Sequence, residues 1–267
     1  SAWLVVDRSA EPEVVGAAIL QNTLDGEGEE AGLFMDIAAI DESIFLDVVE
    51  GLLKEVLDAA RAWGAPAVNI SSSANGAHAV DMLLKRGFVV TDTFDTYEVD
   101  LEPAMGHLQK VISKLKGRVR SRAEWTICPA LAEHAEAIGR SWNAWIGGSS
   151  ERKYQQLRAR LDHEASNESE TTTAILAIEN DMLVGFIIAS LIDDDVLVVH
   201  GQAIAPALRV DLLHTELLEC VLTRAHARGA TRIRFEAGRS QPNTLRVAAR
   251  NEADVLSSSP SLRLALE

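Results

Sequence analysis

Residues 53–70 read LKEVLDAARAWGAPAVNI and residues 218–235 read LECVLTRAHARGATRIRF, and one offset (218 − 53 = 165) lays the second on the first. Val56 falls on Val221, Ala60 on Ala225, Gly64 on Gly229 and Ala65 on Ala230. Each stretch spells a helix stopped by a glycine and running into a short apolar strand. Working outward, Val14, Val15 and Gly16 pair with Leu183, Val184 and Gly185, while Asn75 pairs with Asn243 ahead of another helical stretch. A repeat of this length is two copies of one fold and not the short unit of a solenoid or propeller.

Within each copy the elements follow one order. Residues 3–8 and 11–20 predict a hairpin, as do 172–179 and 183–190 around Asn180 and Asp181, a reversal signal between apolar runs. A third strand follows at 32–40 and at 196–205. A long helix comes next, with Val49, Leu52, Leu53, Val56, Leu57 and Ala60 at helical spacing in one copy and Leu213, Leu217, Val221, Leu222 and Ala225 in the other. Strands at 67–71 and 232–236 sit where a helical crossover returns to a parallel neighbour. Helices at 78–86 and 244–251 follow, and two strands are expected in each closing stretch, 88–101 and 254–267. The expected fold class is α/β, a mixed sheet with helices. The second copy alone has a further strand at 124–128 and helices at 129–145 and 150–161. The expected domains are therefore a truncated copy at 1–101, a linker helix at 102–122 and a complete copy at 123–267.

With 267 residues, 47% of them hydrophobic, the chain can fill two cores. The most apolar run, 182–192, is about half the length that crosses a bilayer and reads as a buried strand. Residues 1–20 carry acids and no cationic start, so no secretory leader is read and a cytoplasmic location is expected. Cys128 and Cys220 are far apart, without CxxC or a ligand-spaced His, so neither a disulfide framework nor a metal site is expected. Charge is uneven: residues 1–101 hold 19 acids and 5 bases, a net of −14, and 102–267 hold 21 and 20, a net of −1, which together give −15. The basic stretch Lys110, Lys114, Lys116, Arg118, Arg120 and Arg122 reads as a solvated linker, and neither nucleic acid nor membrane is an expected partner.

This order of elements, together with AVDMLLKRGF at residues 79–88, resembles the GNAT superfamily of N-acetyltransferases. The resemblance implies acetyl-coenzyme A as co-substrate, an amine as acceptor, and a pantetheine arm along the edge of the third strand, here Ala203 and Ile204. It also implies a proline-led, glycine-rich loop whose backbone N–H groups bind a diphosphate at a helix N-terminus. Setting Pro206 on that proline puts Arg209 on the motif's arginine and Val210, Leu212 and His214 on its small positions, with Asp211 and Leu213 between them. No glycine is retained. The first copy has Asp41, Ile44, Phe45, Asp47 and Val49 there, without a basic residue, and reads as degenerate and structural.

Asn243 falls where the family often places an amide contact to the cofactor. Glu236, at the end of its strand, is the chosen catalytic base and His200 the alternative. Trp142, Trp145 and Tyr154 are candidate acceptor-site residues, with core packing the competing reading for the tryptophans and Tyr154 alike. The family's tyrosine acid is absent: its position holds Leu83 in the first copy and Arg250 or Asn251 in the second. The expected function is acyl-coenzyme A dependent N-acylation by the second copy. The rival is a catalytically inactive tandem protein serving binding or dimerisation, and a homodimer stays open in both readings.

Overall fold

The computed structural model describes residues 2–7, 13–22, 33–39, 45–71, 76–116, 125–145, 172–192, 195–208 and 212–266. They form two compact units. The first comprises Ser1–Asp95, Gly238–Ser240 and Ser258–Glu267, and the second Thr96–Ala237 and Gln241–Ser257.

In the first unit, β1 (Ala2–Asp7), β2 (Glu13–Asn22), β3 (Leu33–Ala39) and β4 (Ala67–Ser71) lie side by side in that order. The first two joins are antiparallel and β3 to β4 is parallel, as the crossover helix α1 (Phe45–Ala62) requires. Leu52, Leu53, Val56 and Ala60 press the apolar stripe of α1 on Ala18, Leu20, Leu33, Met35 and Ile70 of the strands. The helix α2 (Gly76–Lys85) adds Ala79 and Leu83 to the same core.

In the second unit the order is β6 (Thr126–Pro129), β7 (Thr172–Glu179), β8 (Met182–Ile192), β9 (Val196–Ile204) and β10 (Arg232–Gly238), with β5 (Val89–Asp100) beyond β10. Asn180 and Asp181 turn the β7–β8 hairpin with φ of 50° and 62°, which asparagine and aspartate tolerate better than most residues. One core lies under α5 (Leu213–Ala227), where Leu213, Leu217, Val221 and Ala225 meet Ala177, Val184, Ile187, Leu197 and Ile204. On another patch of the sheet, α4 (Ala135–Trp145) sets Ala135 and Ile138 against Leu176, Phe186 and Ile188. The short helix α6 (Pro242–Arg250) starts at a proline, which fits the first turn because its missing N–H has no partner there.

The duplicated helix ends have one geometry. Gly64 and Gly229 take φ of 69° and 98°, and the residues after them reach back alike, Ala65 N–H to the Ala60 carbonyl at 3.1 Å and Ala230 N–H to the Ala225 carbonyl at 3.0 Å.

Three expectations change. The stretch read as a solvated linker is α3 (Leu101–Lys116), whose Leu101, Ala104 and Ile112 are buried, Leu101 and Ala104 in the second unit's main core. Its cations Lys110, Lys114 and Lys116 read as a surface patch, yet the apolar stripe decides where the helix packs. Each closing stretch is one long strand, β5 and β11 (Asp254–Ala265), and β11 runs on through its Ser/Pro cluster. Residues 258–265 of β11 belong to the first unit, where Ala265 to Ser261 pair antiparallel with Ala67 to Ser71 of β4, and residues 96–100 of β5 belong to the second. The helix expected at 129–145 begins later, as a 3₁₀ turn at Ala132–His134 followed by α4. The helix expected at 150–161 lies outside the described residues.

Candidate functional site

The site is built on an irregularity in β9. Its antiparallel ladder with β8 pairs Val199 with Ala189 and then Gly201 with Ile188, so His200 is an extra residue in the register. Such a bulge bends its strand and re-aims the residues beyond it. On the other edge of β9, the parallel ladder with β10 joins Val196–Val199 to Arg232–Phe235 and ends there. Past it, both strands continue, β9 through His200 to Ile204 and β10 through Glu236 and Ala237. Two neighbouring strands have therefore parted just at the bulge, and the edge of β9 carrying Ala203 and Ile204 presents backbone groups outside the β9–β10 ladder.

The chain then passes through a 3₁₀ turn, Pro206–Leu208, toward α5. Arg209, Val210 and Asp211 lie outside the described residues. Leu212 occupies the N-cap, no side chain caps the helix, and the first helical bond runs from Glu216 N–H to the Leu212 carbonyl at 3.0 Å. The opening N–H groups of a helix have no partner within it, so this end is suited to an anion. Leu213 is 0% exposed and turned into the core, so its bulk does not stand over that helix end. Leu212 is buried too. α5 approaches the sheet closely because Gly185 has no side chain: a Cβ there would lie 3.0 Å from Leu217 Cδ1 and 3.4 Å from Leu213 Cδ2.

His214 and Gln202 meet at this end, with His214 Nε2 and Gln202 Oε1 2.9 Å apart. Protein atoms crowding the ring desolvate it and lower its pKa from the ordinary 6.5, although the residue as a whole remains exposed.

A different set of side chains gathers on the α4 face. Strand alternation places Phe186, Ile188 and Ser190 on one face of β8, and Phe186 and Ile188 pack there against α4. The Trp145 ring stacks on Phe186, with centroids 6.2 Å apart at 18°, so it serves the core at this point. Ser190 Oγ is hydrogen-bonded to Nε2 of His200, which puts the bulge residue on this face. On β10, Ile233 and Phe235 face the α5 core, so alternation carries Glu236 to the opposite side. Both candidate bases thus stand one position past the last β9–β10 pair, on the same face, and both are exposed. Trp142 lies on α4, but its side chain and the whole of Tyr154 fall outside the described residues. Asn243 is exposed in the first turn of α6, its Oδ1 accepting from Arg246 Nη1 at 3.4 Å.

The tyrosine position holds no acid. Arg250 is exposed, and Asn251 closes α6 by donating Nδ2–H to the Val247 carbonyl at 2.8 Å while its Oδ1 meets His107 Nδ1 at 2.8 Å.

One group of residues was missed from the sequence. Glu98 accepts from Arg234 Nη2 at 2.7 Å and from Arg232 Nη1 at 3.0 Å, and Arg232 also reaches Asp195 at 2.8 Å. The Arg234 hydrogen bond is the main reason the Glu98 carboxyl sits below its ordinary 4.5. The alternation of Arg232 and Arg234 on one strand, facing the alternating Glu98 of another, was the available signal.

Among the described residues, no group of three or more His, Cys, Asp or Glu could hold a metal ion, and no helix is long and apolar enough to cross a membrane. Cys128 and Cys220 are free thiols.

Comparison with known proteins agrees with this geometry. Residues 131–251 match the model of the acetyltransferase (GNAT) family. No curated protein sequence matches the chain. Among solved structures, it is similar to a tandem GNAT protein from the clavulanic acid biosynthesis pathway, at 14% identity and a TM-score of 0.57, covering 99% of this chain and 82% of that one. It is also similar to a GCN5-related N-acetyltransferase from Sphaerobacter thermophilus, at 14% identity and 0.55, covering 99% and 80%. A conserved protein of unknown function from Enterococcus faecalis V583, described as a probable N-acyltransferase, matches at 11% identity and 0.63, covering 95% and 60%. At such identities the structural likeness speaks for the fold.

Proposed function

We propose, on the premise that residues 131–251 are a domain of the acetyltransferase (GNAT) family, that the second unit transfers an acyl group from an acyl-coenzyme A, with acetyl the working choice, to an amine. The observation that carries this reading is the parting of β9 and β10 at His200, next to a helix whose first N–H groups lack a side-chain cap. The residues present fit a coenzyme A thioester. The free edge of β9 at Ala203 and Ile204 would align its pantetheine amides, and the end of α5 from Leu212 to His214, with Arg209 ahead of it, would hold the diphosphate. Bound there, the thioester supplies an activated carbonyl.

The chain's own groups do the rest. Glu236 carries the negative charge that meets an incoming ammonium and is the first choice as its base, with His200 beside it as the second. Asn243 stands at the start of α6 as a further amide contact. Trp142, Trp145 and Tyr154 are the candidate side chains for the acceptor. The first copy lacks a basic residue at the diphosphate positions and serves structure. The reading also takes the protein as cytoplasmic, with no nucleic acid as partner.

A thermal-shift titration with acetyl-coenzyme A tests this, because a ligand at a hundredfold its Kd adds about 2.7 kcal/mol. The wild type is expected to shift, Arg209→Glu to lose the shift and Ile44→Glu to keep it. No shift at millimolar ligand would favour the inactive tandem protein. A shift that survives Arg209→Glu would put the diphosphate elsewhere.

A further inference from the structure

We propose that Ser190 and His200 are a proton relay on the acceptor face, carrying away the proton that N-acylation releases; the idea rests on the acyl-transfer reading. When an ammonium and a thioester become an amide and a thiol, three N–H protons are accounted for as one kept on the amide, one on the thiol and one surplus. That surplus needs a route to water past the apolar core that Phe186 and Ile188 form under α4. Ser190 lies next along the same face of β8, half-buried, and its hydroxyl is hydrogen-bonded to Nε2 of His200, which is exposed. A hydroxyl can accept one proton while donating another.

In the relay, an N–H bond of the acceptor breaks as a proton passes to Ser190 Oγ. The hydroxyl's own proton moves to His200 Nε2, and the imidazolium gives a proton to water. Nothing is oxidised or reduced, and no added reactant is needed. The bulge is what makes the pair. Without an extra residue, the position after Val199 would continue the regular alternation, whereas here His200 stands between the Val199–Ala189 and Gly201–Ile188 pairs, and its ring reaches back to Ser190.

The relay requires neutral His200 to accept at Nε2 and hence to be protonated at Nδ1. Histidine-selective ¹⁵N NMR of the full chain reads this directly, with His200→Gln assigning the signal. The expected result is the Nδ1–H form in the wild type and in Ser190→Thr, and its loss in Ser190→Ala. A wild-type Nε2–H form would overturn the proposal, since Ser190 would then only accept. With a primary amine that the wild type acetylates, Ser190→Ala is expected to lower kcat by about a hundredfold with KM unchanged, and Ser190→Thr to recover most of it. Unchanged kcat in Ser190→Ala would sink the relay while leaving acyl transfer intact. The absence of any acetyl-coenzyme A shift in the wild type would instead remove the reaction that the relay serves.

Discussion

The two copies treat the third strand of their sheets differently. In the first, β3 pairs with β2 residue for residue from Leu33 to Ala39, and in the second, β9 carries His200 as an extra residue. The parallel ladders end at matching places, Met35 opposite Ile70 and Val199 opposite Phe235. The strands then reach matching glycines, Ala39 opposite Gly16 and Ile204 opposite Gly185. That path takes four steps in one copy (39 − 35) and five in the other (204 − 199). The hairpins behave in the opposite way. Val15 and Val184 are skipped in their ladders at the same place, one residue before those glycines. A bulge present in both copies belongs to the fold, and the bulge present in one belongs to the site.

The face beside the bulge differs in the same sense, since Ala17 follows Gly16 where Phe186 follows Gly185. Phe186→Ala is therefore expected to cost about 3–5 kcal/mol, the usual range for emptying a fully buried aromatic site. Chemical denaturation followed on the Trp145 side of the molecule checks it, and a loss below about 1 kcal/mol would mean that this face is not a core. The next largest effect is functional. Deleting His200 would give β9 the register of β3, and the expected outcome is a folded protein without the acetyl-coenzyme A stabilisation of about 2.7 kcal/mol at a hundredfold Kd. Retained stabilisation would show that the bulge is not what separates the copies. Gly185→Val comes third: its Cβ would meet Leu217 Cδ1 at 3.0 Å, and overpacking there should cost about 1–3 kcal/mol in thermal denaturation.

Much of this was legible in the sequence because it depends on local rules. The helix stripes, the Gly64 and Gly229 stops and the Asn180–Asp181 turn are each decided within a few residues, and they appear where expected. The role of α3 was not legible, since Leu101 and Ala104 look like sparse apolar residues until a core exists for them to enter. Nor was the departure of β11 for the first unit, where its Leu262 is wholly buried, because strand pairing at long range leaves no periodic mark in the strand itself. At the site, Glu236 and His200 could be named as residue types near strand ends. What brings them to one face at one point is a single extra residue, and a one-residue offset inside a strand is invisible without the register.

The smallest expected effect concerns acid. In the second unit, Glu98 is held by Arg234 and Arg232 with 13% of its side chain exposed, while the first copy has Asn69 and Ala67 at the positions of those arginines. The hydrogen bond from Arg234 leads the causes that put the folded-state pKa of Glu98 below 4.5, so its stabilisation is fully present above that value and is lost as the pH falls through the lower folded value. The arginines are partly exposed, which limits the effect to about 1 kcal/mol. Glu98→Gln should accordingly be less stable than the wild type near pH 6, with the gap closing as the pH falls below 4.5 and through the lower folded value. Urea midpoints taken across that range decide the matter. A gap that stays constant would mean that Glu98 contributes through packing and neutral hydrogen bonds, and that this acid-sensitive pair does not distinguish the second unit from the first.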